Sequence, residues 1–153
     1  MRFMKGETMA ALVKKEFVQV IERVDDWTQA IELSMEPLLK HECIERRYVE
    51  AIFDKTQKYG PYYVVAPKIA MPHASFDQGV LSKAISVLLI KQPVKFSQDG
   101  FDVHLVVGLA ATDSQSHLQS LVKLSEMLDN GETLDQILEA SSSQELYEFF
   151  RNI

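Results

Sequence analysis

Two stretches of the chain are apolar at nearly every position, and the rest is punctuated at helical or strand period. Ala84–Ile90 (AISVLLI) and Val103–Ala111 (VHLVVGLAA) have strand length. Near-continuous apolarity over that length predicts central strands buried on both faces. Gln92-Pro93 breaks the first and leaves Val94-Lys95-Phe96 as a short edge-like strand, followed by a turn at Ser97–Gly100. Upstream, Phe17–Ile21 alternates in part and fits a strand, with a helix as the alternative. Tyr62–Val65 is aromatic and β-branched and predicts another buried strand, ended by Pro67. Ile69-Ala70-Met71 then restores an apolar run.

The remaining segments read as helices. Asp25-Asp26 before Trp27 is an N-cap signature, and Trp27, Ile31, Met35 and Leu38 recur at helical spacing. Pro37 falls inside that stripe and predicts a kink or restart. Ile44–Tyr59 carries a second stripe at Tyr48, Ala51, Ile52 and Thr56, with Glu45, Arg46 and Lys55 outward. Gly60-Pro61 stops it. Three helices close the chain over Ser114–Leu128, Thr133–Ala140 and Ser143–Arg151. Together these elements predict an α/β fold: a mixed parallel/antiparallel sheet of about five strands sandwiched by helices.

Composition narrows the function classes. At 153 residues, with 46% hydrophobic and 25% charged positions, the chain fits one globular domain with one sizeable core. Residues 1–8 read as a loose N-terminal end. The net charge of −6 and the lack of a long basic run argue against nucleic acid as a partner. The apolar run Met9–Val13 is too short for a signal peptide, and no stretch has the length to cross a bilayer. Cys43 stands alone, which excludes an internal disulfide and points to the reducing cytoplasm. No phosphate-binding loop, dinucleotide fingerprint or nucleophile elbow occurs.

Candidate chemistry centres on histidine. Pro72 fixes its own φ and extends Met71, so His73 sits on stiff chain with small neighbours Ala74 and Ser75. A stiffly held imidazole suits a nucleophile presented to a partner protein, although a lone histidine in an apolar loop is more often packed or solvated. His117 follows the candidate N-caps Thr112, Asp113 and Ser114, with Thr112 and Gln115 spaced for a capping box. It shares a helix face with Leu121, Leu124 and Leu128. A helix start favours a neutral imidazole and a nearby anion. His104 reads as structural, His41 as solvated and Ser75 as surface. No metal-ligand spacing appears, and no cofactor is called for.

The segment Gly60–Phe96, with GPY, AMPHA, Gly79-Val80 and Pro93-Val94-x-Phe96, resembles the enzyme IIA domains of the fructose–mannitol superfamily of the bacterial phosphotransferase system. It is most similar to the ascorbate-type members. Leu109–Asp113 and His117-Leu118 extend the resemblance over most of the chain. The resemblance implies that 1–153 is a single type-2 IIA domain and a phosphotransferase component. His73 would accept a phosphoryl group from the phosphocarrier protein HPr as a tele-phosphohistidine. It would then donate the group to a IIB cysteine, coupled through a membrane IIC permease to uptake of a sugar or sugar acid. His117 would orient His73 and stabilise the phosphate. Ile69, Ala70, Met71 and Ala74 would form the docking surface. Two arginines found in relatives are absent: Ala51–Lys58 offers Lys55 and Lys58 instead, and Ser75 stands two residues after the histidine. A regulatory IIA-like protein, whose His73 phosphorylation state controls a partner, is the alternative.

Overall fold

The computed structural model describes residues 12–153, so the expected loose end at 1–8 and the Met9–Ala11 part of the apolar run lie outside the described residues. After a 3-10 turn at Lys15–Phe17, the elements are β1 (Val18–Ile21), α1 (Trp27–Lys40), α2 (Arg46–Tyr59), β2 (Lys68–Ala70), β3 (Ala84–Lys95) and β4 (Asp102–Ala110). They are followed by α3 (Ser114–Leu128), α4 (Gly131–Leu138) and α5 (Ser143–Phe150). The sheet runs β1-β3-β4-β2. β1 pairs with β3 and β2 with β4 in parallel, while β3 and β4 are antiparallel.

The two apolar runs are the two interior strands, and strand alternation divides their side chains between two cores. Ala84, Leu88 and Ile90 join Ile31, Met35, Leu38, Tyr48 and Ile52 from α1 and α2. Ile85, Val87, Leu89, Leu105 and Val107 point the other way, onto Leu124, Leu128, Ile137, Leu146 and Phe150. Helices therefore cover both faces, and the chain is an α/β sandwich, as expected.

The described residues hold four strands where about five were expected, and both differences have local causes. Tyr62–Val65 forms no strand: Tyr62-Tyr63 is a turn, closed by Val64 N–H to the Pro61 carbonyl at 3.0 Å. Its tyrosines are held by side-chain bonds: the Tyr63 hydroxyl lies 2.8 Å from Thr56 Oγ1. The strand here is Lys68–Ala70, after Pro67. Pro93 does not end β3, because the β3–β4 register shifts between Leu89 and Val94. β1 pairing has already stopped at Ile90. An irregular, partly unpaired stretch is where a strand tolerates proline.

Pro37 leaves α1 unbroken. A proline there removes the N–H that would bond the Leu33 carbonyl. Gln19 Nε2 donates to that carbonyl at 2.8 Å, so β1 satisfies what the helix cannot. The N-cap of α1 is Asp26, which accepts from Gln29 N–H at 3.0 Å.

Candidate phosphoryl-transfer site

β2 and β4 run parallel as neighbours, so the chain leaves both at the same end of the sheet. His73 lies three residues after β2, and His117 enters α3 shortly after β4. That topology brings the two imidazoles together, with ring centroids 4.8 Å apart and planes inclined at 54°. Both rings are half-buried. They line an open cleft of about 300 Å³ with Lys55, Tyr62, Ala74, Ser75, Phe76, Ala111 and Ser114.

The irregular loop carrying His73 is fastened at successive residues. Met71 N–H donates to the Tyr63 carbonyl at 3.1 Å, and Leu109 N–H donates to the Pro72 carbonyl at 3.1 Å. The Tyr62 hydroxyl donates to the His73 carbonyl. Ala74 N–H donates at 3.1 Å to the buried Tyr48 hydroxyl, which itself donates to the Leu109 carbonyl at 2.6 Å. Further on, Gly79 has φ +119°, a region that favours glycine. A Cβ there would meet Tyr48 N at 3.1 Å and Arg47 Cγ at 3.0 Å. The Gly79 carbonyl accepts from Glu45 N–H at 2.7 Å, docking the loop on the start of α2.

His73 Nδ1 lies 2.8 Å from the Met71 carbonyl oxygen. A carbonyl only accepts, so Nδ1 carries the hydrogen and Nε2 of the neutral ring keeps its lone pair. Burial pushes the His73 pKa down. The Met71 bond opposes this, and the charges of His117 and Lys55 add to the lowering. Burial also lowers His117. Both shifts favour neutral imidazoles near neutral pH.

α3 is capped by Asp113, not Thr112: Asp113 Oδ1 accepts from Ser116 N–H at 2.7 Å. His117 N–H makes the next bond, to the Asp113 carbonyl at 3.1 Å. His117 thus sits at the positive end of the helix macrodipole, where an anion is stabilised.

The other sequence candidates separate from this cluster. His104 Nδ1 bonds the Ile90 carbonyl at 2.9 Å, a structural role within the sheet. His41 is exposed, as expected for a solvated residue, yet it also closes α1, with Nδ1 3.0 Å from the Pro37 carbonyl. Cys43 is buried and free. Among the described residues no His/Cys/Asp/Glu cluster could hold a metal ion. Ile69 and Ala70 are buried in the two cores, so they cannot belong to the expected docking surface. Exposed apolar residues of this region include Tyr62 and Phe76 in the cleft lining and Leu118 and Val122 on α3. Lys55, Tyr62 and Tyr48 were not singled out as site residues from sequence. The lysine left a signal as a cation in the helix before the histidine loop, and Tyr62 left one as the tyrosine of GPY.

The sandwich topology and the matching sequence define a class, the enzyme IIA components of sugar phosphotransferase systems. Residues 11–153 match the family model for the phosphoenolpyruvate-dependent sugar phosphotransferase system, EIIA 2, and the chain belongs to that family. It is therefore a phosphotransferase component with a phosphocarrier role. The mannitol-specific cryptic phosphotransferase enzyme IIA component of Escherichia coli K12 is 41% identical over 129 residues, 84% of this chain and 88% of the relative. The ascorbate-specific EIIA component of the same organism is 27% identical over 138 residues, 89% and 90% of the two chains. The solution structure of the E. coli cryptic mannitol enzyme IIA superposes with a TM-score of 0.86 at 37% identity, covering 93% of this chain and 97% of that one.

Proposed function

We propose that residues 11–153 form one type-2 IIA domain in which His73 is the phosphoryl acceptor and His117 its partner. The observation that carries this is the 4.8 Å pairing of the imidazoles together with the Nδ1 bond to Met71. Phospho-HPr presents its phosphorus to Nε2. The Nε2 lone pair forms the new P–N bond as the donor's P–N bond breaks, and the donor nitrogen takes that electron pair. The product is a tele-phosphohistidine. Its ring gains positive character because the Nδ1 hydrogen stays, and the Met71 carbonyl stabilises that charge. His117 and Lys55 face the phosphoryl oxygens, and positioning with charge stabilisation supplies most of the catalysis. The reverse geometry hands the group to a IIB cysteine, coupled through a IIC permease to uptake.

No helix among the described residues is long and apolar enough to cross a membrane, and the family resemblance supports a cytoplasmic carrier. The cargo is a sugar acid or polyol. The sequence motifs favour an ascorbate-like substrate, and the higher identity to the mannitol-specific relative supports a polyol.

The test is label transfer from phosphoenolpyruvate through enzyme I and HPr to wild type, His73→Ala and His117→Ala. Acid-labile, base-stable label is expected on wild type, absent from His73→Ala and slowed about tenfold to a hundredfold in His117→Ala. Phosphorus NMR of the labelled protein should report Nε2 attachment. Label persisting on His73→Ala would overturn the assignment. Adding mannitol-type and ascorbate-type IIB proteins separates the two cargoes, and transfer to neither would support the regulatory alternative.

A further inference from the structure

We infer that Tyr62 is a positioning residue for phosphoryl transfer: its ring walls one side of the His73 imidazole, and its hydroxyl pins the backbone carbonyl of His73 itself. The inference rests on the reading of His73 as the acceptor. The Tyr62 and His73 rings are perpendicular, at 89°, with centroids 5.5 Å apart. With His117 at 4.8 Å, the imidazole has an aromatic neighbour and a histidine neighbour.

Tyr62 is itself braced from the core. Its ring meets Tyr63 edge-on at 5.0 Å. Tyr63 is buried, bonds Thr56 and packs edge-on against Phe96 at 5.8 Å. Tyr62, by contrast, is 37% exposed and lines the cleft. Burial does not require its hydroxyl to turn onto the nucleophile's main chain. The loop bonds at Pro72 and Ala74 go to β4 and α2, and the His73 carbonyl between them is held by Tyr62. Without that bond the 73–74 peptide is held only through its Ala74 N–H to Tyr48, and a tilt of its carbonyl side moves the approach angle of Nε2. In-line transfer is sensitive to such displacements: about 1 Å of misplacement can cost about a hundredfold in rate. Part-burial raises the Tyr62 phenol above its ordinary value, so it stays a donor at assay pH.

Tyr62→Phe keeps the wall and removes the hydroxyl, while Tyr62→Ala removes both. Single-turnover phosphorylation by phospho-HPr, over a range of phospho-HPr concentrations, separates the maximal rate from the half-saturating concentration. Expected is a maximal rate lowered about fivefold in Tyr62→Phe and about twentyfold in Tyr62→Ala. In Tyr62→Phe the half-saturating concentration and the thermal midpoint should be unchanged, since a structural role would move the midpoint and a docking role the half-saturation. Wild-type maximal rates in Tyr62→Phe, or an effect confined to half-saturation, would overturn the inference. Tyr62→Phe carries the test alone if the alanine variant misfolds. Wild type with no label at all sinks the parent reading instead, and this inference with it.

Discussion

Tyr48 donates from its buried hydroxyl to the Leu109 carbonyl, 2.6 Å away, and the same oxygen accepts from Ala74 N–H. One phenol on α2 therefore ties the His73 loop to the end of β4, the strand that leads to His117. Tyr48→Phe leaves a half-buried N–H and a buried carbonyl without this partner. Urea unfolding should show a loss of about 1–3 kcal/mol, and His73 phosphorylation should slow in the folded protein. An unchanged midpoint would mean that water replaces the hydroxyl.

The pH dependence of phosphorylation follows from the lowered His73 pKa. With His73 as the proposed acceptor, the nucleophile is the neutral ring, so the rate should rise with pH through a pKa below the usual imidazole value of about 6.5 and then level. The stability sign follows from proton binding: a depressed pKa means the unfolded chain binds the proton more readily. The contribution is present above about pH 6.5 and is lost as pH falls through the lower folded value. His73→Gln should flatten this part of a stability-against-pH curve. A His73 titration by NMR above the usual value would contradict both expectations.

Lys55 lines the cleft, and its charge helps hold the His73 pKa down. Lys55→Gln should raise the His73 pKa while slowing phosphoryl acceptance about tenfold, because the cleft proposed to hold the phosphate loses a cation. Lys55→Arg should keep most of the activity. A glutamine variant as fast as wild type would remove Lys55 from the site.

Gln19 closes the gap that Pro37 opens in α1. Gln19→Leu should destabilise the protein by about 1–2 kcal/mol, as the Leu33 carbonyl loses its donor. In a Pro37→Ala background the helix supplies its own N–H, and the cost of Gln19→Leu should shrink. Equal costs in both backgrounds would show that the glutamine acts by packing.

Much of the fold was legible where local signals and long-range packing agree. AISVLLI and VHLVVGLAA read as interior strands, and they are. Asp26 and Asp113 were among the cap candidates and make the cap bonds. The misreadings came where a residue's partner lies far along the chain. Pro37 looked like a break because Gln19 cannot be matched to it from sequence. Pro93 looked like a strand end because register is a property of two strands. Tyr62 and Tyr63 have strand composition, but their hydroxyls bind His73 and Thr56 and favour a turn. The two histidines were visible as stiff-loop and helix-start residues. Their pairing depends on β2 and β4 lying side by side, which no spacing along the chain encodes.

The oxygen that holds the hydrogen on His73 Nδ1 belongs to the main chain of Met71. Replacing the side chain at 71 does not delete it. The tautomer is therefore inherited with the fold, not with the identity of a neighbouring residue. Position 71 can drift among side chains that keep the loop path, and the imidazole would still offer the same nitrogen. The readiness of the proposed nucleophile is in this sense insulated from variation at its nearest hydrogen-bonding neighbour, and variants that lose it should be those that move backbone.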